Sequence, residues 1–348
     1  MKRADFTARL IGFILLCAWL AINFAPLALA QSAGSDEAAA AAAAASAMKR
    51  LGRGVNILGY DGWWQGAEDA PFRATDFALV RGAGFDHVRI NFFGFRYMDA
   101  QDRIDPAVIG RLDRAIDLAL RNGLTPVLDQ HDNQLCQTAP ESCKAKLVRF
   151  WEQIAAHYAG TRPSMIYEIL NEPGGAMTAA LWNDTLRAPI EAIRIADPTR
   201  VIIVAALNRD GVHDIDKLEL PEADRRLAVT VHYYEPMTFT HQGAPWSPHF
   251  AALHDVDWGS DPSKRKVVDD FTIVENWATR RHRPIYLGEF GVYDKAQAAA
   301  RAAWTRYVAR TAERLGWSWA CWQFDHDFAL FDSNTHSWNR QFLDALMR

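Results

Sequence analysis

The chain has 348 residues, 49% of them hydrophobic and 23% charged, with 21 glycines and 15 prolines, a balance that excludes disordered, collagen-like and fibrous classes. The length accommodates two small domains, or one barrel of about 250 residues with extensions. The formal net charge is −4, and the folded part carries no Lys/Arg cluster of the kind that tracks phosphates, which argues against a nucleic-acid partner.

At the amino terminus Lys2, Arg3 and Arg9 precede an apolar run, Leu10 to Ala30, ending in Ala28-Leu29-Ala30 before Gln31. These are the charged, apolar and small-residue zones of an export signal, so residues 1–30 are expected to be removed after Ala30. The run approaches the roughly 20 residues of a spanning helix, which leaves an uncleaved anchor as the rival. Asn23, Pro26 and the small-residue end favour cleavage and hence a mature protein without stable membrane insertion, periplasmic or secreted. Residues 31–50 contain eight consecutive alanines, Ala38 to Ala45, and read as a tether that nothing anchors to a core.

From Arg53 onward short apolar runs alternate with longer amphipathic stretches, the beat of parallel strands joined by crossover helices. The runs begin at Gly54-Val55-Asn56-Ile57, His87-Val88-Arg89-Ile90, Thr125-Pro126-Val127-Leu128 and Met165-Ile166-Tyr167-Glu168-Ile169-Leu170. They continue at Val201-Ile202-Ile203-Val204, Leu227-Ala228-Val229-Thr230-Val231, Pro284-Ile285-Tyr286-Leu287 and Trp317-Ser318-Trp319-Ala320-Cys321-Trp322. Between them Val108 to Leu120 places Leu112, Ile116 and Leu120 on one helical face. The expectation is α/β, a single (β/α)8 TIM barrel over residues 51–348, with chemistry at the carboxyl ends of its strands.

After removal of the leader, three cysteines remain. Cys136 and Cys143 enclose a short polar loop and are the candidate disulfide pair, while Cys321 in an apolar aromatic run reads as a buried thiol. The three lack the spacing of a zinc site.

The fourth strand runs into Asn171-Glu172-Pro173 and the seventh into Gly288-Glu289-Phe290-Gly291, so two carboxylates are expected at one rim. Pro173 biases Glu172 toward an extended backbone. Gly288 and Gly291 leave room for a ligand or for tight packing around Glu289.

With these residues the chain resembles glycoside hydrolase family 5, the retaining β-glycanases that include many cellulases, from about Arg53 to Trp338. The positions that carry the resemblance are Arg89 after strand two, His131 after strand three, Asn171 and Glu172 after strand four, His232 and Tyr234 after strand six, Glu289 after strand seven and Trp322 on strand eight. The resemblance implies Glu172 as acid/base and Glu289 as nucleophile, with the other six lining the subsite where the bond breaks. It further implies that Asn171 binds the sugar 2-OH, that His131 serves the 3-OH region and that His232 holds the acid/base carboxyl. In a retaining enzyme the carboxyls stand about 5 to 5.5 Å apart, and repulsion from the neighbouring anion would raise the pKa of Glu172.

Trp322 offers a flat face to a pyranose ring, and Trp63, Trp64, Trp246 and Trp258 are either further sugar platforms or packing. The long stretch Glu235 to Ser263 is the candidate for shaping the cleft. Asp129, His131 and Asp132, or Asp325, His326 and Asp327, resemble metal ligands but read as groups that bind sugar hydroxyls or each other, so neither metal nor cofactor is expected. The activity expected is an exported endo-β-1,4-glucanase acting on β-glucan. β-1,3-glucanase, mannanase, glucan transglycosylase and a non-catalytic carbohydrate-binding barrel are the alternatives.

Overall fold

The computed structural model describes residues 36–348; the expected export signal and its cleavage point lie outside the described residues. Parallel strands close a barrel in sequence order: β1 Arg53–Ile57, β2 His87–Phe92, β3 Thr125–Gln130, β4 Ile166–Glu168, β5 Ile202–Ala205, β6 Leu227–Tyr233, β7 Ile285–Phe290 and β8 Ser318–Cys321, with β8 pairing back to β1. Each overlaps the apolar run expected for it. A ring of helices covers the outer face while side chains fill the inside, so both faces of each strand are buried and polar alternation is suppressed.

The helix Pro106–Arg121 shows how the ring is specified locally. Asp105 caps its start by accepting from the Ala107 N–H at 2.8 Å, and proline stands in the first turn. Val108, Leu112, Ala115, Ile116 and Ala119 form its buried face. Among the described residues no helix is long and apolar enough to cross a membrane.

Cys136 and Cys143 are bonded, with Cα atoms 4.8 Å apart. The bridge joins the short helix Gln134–Thr138 to the first turn of Pro140–Tyr158. Cys321 is a buried thiol whose pKa burial pushes up to about 12, which makes it unreactive.

The alanine-rich segment departs from expectation. Residues 36–51 are helical rather than a free tether, and Ala44, Met48 and Leu51 are buried. These three recur at the spacing of one helical face. Alanine supplies the propensity, and Met48 and Leu51, just beyond the run, supply the apolar anchor. The helix closes the amino-terminal end of the barrel against Val127, Ile166, Ile203, Tyr286 and Ala320. Its last carbonyls find donors in the barrel: Ser318 Oγ donates to Met48 O at 2.5 Å, and His87 Nδ1 lies 2.7 Å from Leu51 O. The folded unit therefore begins inside the segment assigned to the linker.

Candidate active site

At the carboxyl ends of the strands opens a cleft of about 920 Å³. His131, Asn171, Glu172, His232, Tyr234, Glu289 and Trp322 line it, and Arg89 lies fully buried beneath. The structure thus brings all the expected site residues to one place. A second cavity, about 650 Å³, lies at the other end beside the 36–51 helix, and its lining holds a single acid, Glu275.

Arg89 is the hub. It stands within β2, and Glu289 within β7, rather than after their strands. The Arg89 guanidinium donates to Glu289 Oε1 at 2.7 Å, to Asn56 Oδ1 at 2.9 Å and to Asn171 Oδ1 at 2.9 Å. It also grips both oxygens of Glu168 at 2.8 and 2.9 Å and lies 3.0 Å from Asp129 Oδ2. Strand register explains the meeting, since Asn56 pairs with Arg89 and Asp129 with Glu168. Burial works against the charge of Arg89, but Asp129, Glu168 and Glu289 together raise its pKa well above the usual value. Burial pushes Asp129 up to about 6 and raises Glu168. Glu168 and Asn56 were missed as site residues; a lone charge inside an apolar run, as in Ile166-Tyr167-Glu168-Ile169, is the sequence signal of a buried ion pair.

Around Glu289 the remaining groups converge. Tyr234 Oη donates to Glu289 Oε2 at 2.9 Å. A register shift between Val231 and His232 sets His232 opposite Glu289, the kind of irregularity that re-aims a side chain near a site. His232 Nδ1 then lies 3.1 Å from Glu172 Oε1 and 3.6 Å from Glu289 Oε2. One ligand atom from each of Glu172, His232 and Glu289 lies within 4.8 Å of the others. Burial lowers His131 and His232 to about 4, so both imidazoles are neutral near pH 7. Burial first, then the charges of Glu289 and Glu172, raise the Tyr234 phenol, which stays a donor.

Glu172 differs from expectation twice. Its pKa is raised by burial, with His131, Arg209 and Arg89 pulling the other way, rather than by repulsion from its partner acid. Its backbone is left-handed, φ 44°, rather than extended. Such a conformation costs about 1–2 kcal/mol in a non-glycine residue. Here Asp210 Oδ2 holds it by accepting from Glu172 N–H at 3.1 Å, and Gln137 Nε2 by donating to Glu172 O at 3.3 Å. Asp210, fully buried, had no sequence signal. Gly288 and Gly291 serve packing: a Cβ at either would come within 2.4 Å of Thr230 Oγ1 or 2.2 Å of Trp322 O.

The aromatic candidates divide. Trp322 is half-buried in the cleft wall, its ring parallel to His131 with centroids 5.6 Å apart. Trp246, 53% exposed, stands at the cleft edge against Tyr293. Trp63, Trp64 and Trp258 are buried and pack; Trp64, for instance, donates to Leu58 O at 2.6 Å. The stretch after β6 contributes His241, Trp246 and Phe250 to the wall, and Tyr60, unnoticed in the sequence, joins from the β1 side.

Neither proposed acid and histidine cluster converges as a metal site among the described residues. Asp129 Oδ2 is occupied by Arg89 and, at 2.6 Å, by His131 Nδ1. Glu172, His232 and Glu289 do converge, but both oxygens of Glu289 are engaged, and the Arg89 guanidinium 2.7 Å away opposes a second cation there.

Comparison with known proteins agrees with this layout. Endoglucanase H of Acetivibrio thermocellus is 25% identical over 86% of this chain, which spans 33% of that relative's length. Thermotoga maritima Cel5A, solved in complex with cellobiose, is 34% identical with a TM-score of 0.82, over 87% of this chain and 99% of its own. The cellulose synthase subunit Z of Clostridioides difficile is 32% identical with a TM-score of 0.80, over 86% of this chain and 100% of its own. With residues 48–327 matching the sequence model of Cellulase (glycosyl hydrolase family 5) over the same barrel and rim, the chain belongs to glycosyl hydrolase family 5.

Proposed function

We propose that the protein is an exported endo-β-1,4-glucanase that cleaves with retention, using Glu289 as nucleophile and Glu172 as acid/base. One observation carries this reading: two carboxyls face each other across one cleft with oxygens within 4.8 Å, the close spacing of the double-displacement class, about 5 to 5.5 Å, and not the roughly 6.5 to 9.5 Å that accommodates a water. Arg89 and Tyr234 each donate to one oxygen of Glu289 and aim it at the anomeric carbon. Burial raises Glu172, which favours its holding a proton for the leaving oxygen.

In the first half-reaction Glu289 Oε bonds to the anomeric carbon as the glycosidic C–O bond breaks, and the Glu172 proton passes to the departing oxygen. In the second, Glu172 takes a proton from water, the hydroxyl adds to the anomeric carbon and the ester to Glu289 breaks. Arg89 occupies the Asn171 oxygen, which leaves the Asn171 N–H donors for a sugar hydroxyl. Trp322 presents its ring to the pyranose face.

Cellobiose in the Cel5A complex and the cellulose synthase association of the Clostridioides difficile subunit support β-1,4-glucan as substrate. Cel5A was also solved with mannotriose, so mannan is the second substrate reading. Export is supported by the charged, apolar and small-residue order of residues 1–30 and by a disulfide suited to an oxidising compartment. The test incubates purified protein with carboxymethylcellulose, mixed-linkage glucan, β-1,3-glucan and mannan, following product size and anomeric configuration. Rapid shortening of β-1,4-glucan with β-configured products is expected; α-configured products would refute the double displacement.

A further inference from the structure

Behind the acid/base carboxyl stands a residue that no step above uses. Asp210 is fully buried; its Oδ2 accepts from the Glu172 N–H at 3.1 Å and lies 3.4 Å from His232 Nε2. His232 is thus placed between two carboxyls, with Nδ1 toward Glu172 Oε1 at 3.1 Å and Nε2 toward Asp210. A neutral imidazole has one N–H and can serve only one of them as donor. Which nitrogen holds that proton decides how Glu172 is held.

The surroundings of Asp210 favour its neutral form. Its Oδ1 is buried without a hydrogen-bond partner, as is His232 Nε2. A charged carboxylate with an orphan oxygen costs far more than a neutral acid with an orphan carbonyl. Of the titratable groups that face it, Glu168, and Glu172 whenever it is ionised, oppose a further anion, and Arg89 is committed to Glu168, Glu289 and Asn171. The segment that delivers Asp210 is held under strain: Asn208, Arg209 and Asp210 have φ of 53°, 62° and 57°, and Arg209 N–H donates to Pro173 O at 2.9 Å. Three non-glycine residues stay left-handed only where the surrounding structure over-determines them. The clip ties the β5 end to the residue that follows Glu172.

We infer that Asp210 is a positioning residue: its protonated carboxyl donates to His232 Nε2, fixing the imidazole proton on Nδ1 and aiming it at Glu172 Oε1. A carboxylic hydroxyl both accepts and donates, so Oδ2 serves the Glu172 N–H and the imidazole together. The 3.4 Å separation is longer than a formed hydrogen bond, and the proposed bond requires a rotation of either group that brings the two atoms closer. With Nδ1–H held on Oε1, the other oxygen of Glu172 carries the catalytic proton in both half-reactions. Burial moves the two groups in the matching directions, Asp210 well above its usual range and His232 down to about 4.

This inference rests on the acid/base reading of Glu172, and the experiment separates the two. Asp210→Asn, Asp210→Ala and Glu172→Gln are compared on a cello-oligosaccharide, whose leaving group needs a proton, and on dinitrophenyl β-cellobioside, whose leaving group does not. Asp210→Ala should lower kcat on the oligosaccharide by about tenfold or more and displace the alkaline limb of kcat/KM, with a much smaller loss in formation of the glycosyl-enzyme from the aryl substrate. Asp210→Asn keeps a donor toward His232 Nε2, but its amide nitrogen cannot also accept from the Glu172 N–H as the carboxylic oxygen does, so it should recover a measurable part of that loss. An Asp210→Ala protein with native kcat and native pH limbs overturns the inference, as does an Asp210→Asn protein as impaired as Asp210→Ala, the pattern of an anionic role. Should Asp210→Ala fail to fold, the pH limbs of Asp210→Asn decide: a native-like alkaline limb supports the neutral acid, and its loss overturns it. Glu172→Gln with native activity overturns the acid/base reading itself; Glu172→Gln inactive beside a native-like Asp210→Ala overturns this inference alone.

Discussion

His87 and His232 stand at opposite ends of the same barrel, both buried, and burial lowers both to about 4. At the floor, His87 meets neutral partners, Leu51 O at 2.7 Å and Tyr286 Oη at 2.8 Å, and holds the closing helix in place. At the rim, His232 meets Glu172, Glu289 and Asp210. In both, burial is the largest cause of the shift; the partners decide whether the imidazole faces neutral groups or carboxyls. A perturbed pKa locates a buried group, and only facing carboxyls around an open cleft make it part of a mechanism.

The contrast is broken most sharply at the rim. Glu289→Gln and Glu172→Gln should each lower kcat on a cello-oligosaccharide by about a thousandfold or more while the protein stays folded. Near-native turnover in either would remove the rim from the mechanism.

The two histidines give the next comparison. His232→Ala should lower kcat by roughly a hundredfold, whereas His87→Ala should leave kcat within about twofold and lose about 2–4 kcal/mol of stability in urea. Their pH dependence follows from linkage. The folded His87 resists protonation to about 4 against 6.5 as its ordinary value, so the unfolded chain binds the extra proton between those values. Its contribution is complete above pH 6.5 and declines as pH falls toward 4. His87→Leu should therefore flatten the acid loss of stability by up to about 3 kcal/mol; an equally steep acid limb would show that His87 titrates freely.

At the floor, Met48→Ala should destabilise the protein by about 2–4 kcal/mol without changing kcat, read by urea unfolding and initial rates. No change in stability would mean that the helix does not close the barrel. The smallest effect is expected at the cleft edge, where Trp246→Ala should raise KM on long substrates a few-fold, about 1 kcal/mol, and leave kcat alone.

Much of this architecture is legible in the sequence. Each barrel strand falls on an apolar run, and of the helical face Leu112, Ile116 and Leu120 expected from spacing, Leu112 and Ile116 are buried and Leu120 is half-buried. The polar residues that meet in the cleft are legible because several sit at strand ends, where a single polar residue interrupts an apolar pattern. The closing helix is not, because alanine signals helix without signalling burial, and its anchors Met48 and Leu51 are isolated. Glu172's left-handed backbone is invisible for a related reason: Pro173 restricts it locally, but Asp210 and Gln137, distant in sequence, select the conformation.

By itself, then, the chain's pattern of apolar runs determined an eight-fold alternation and brought polar residues to strand ends, because burial on a sheet or helix repeats every two or every three to four residues. Tertiary structure alone decided that one guanidinium meets Asp129, Glu168 and Glu289 at once, that His232 is shared between carboxyls, and that an alanine helix seals the floor. Those outcomes depend on register across neighbouring strands and on the desolvation each group finds inside the closed barrel, which exist only after the barrel has closed.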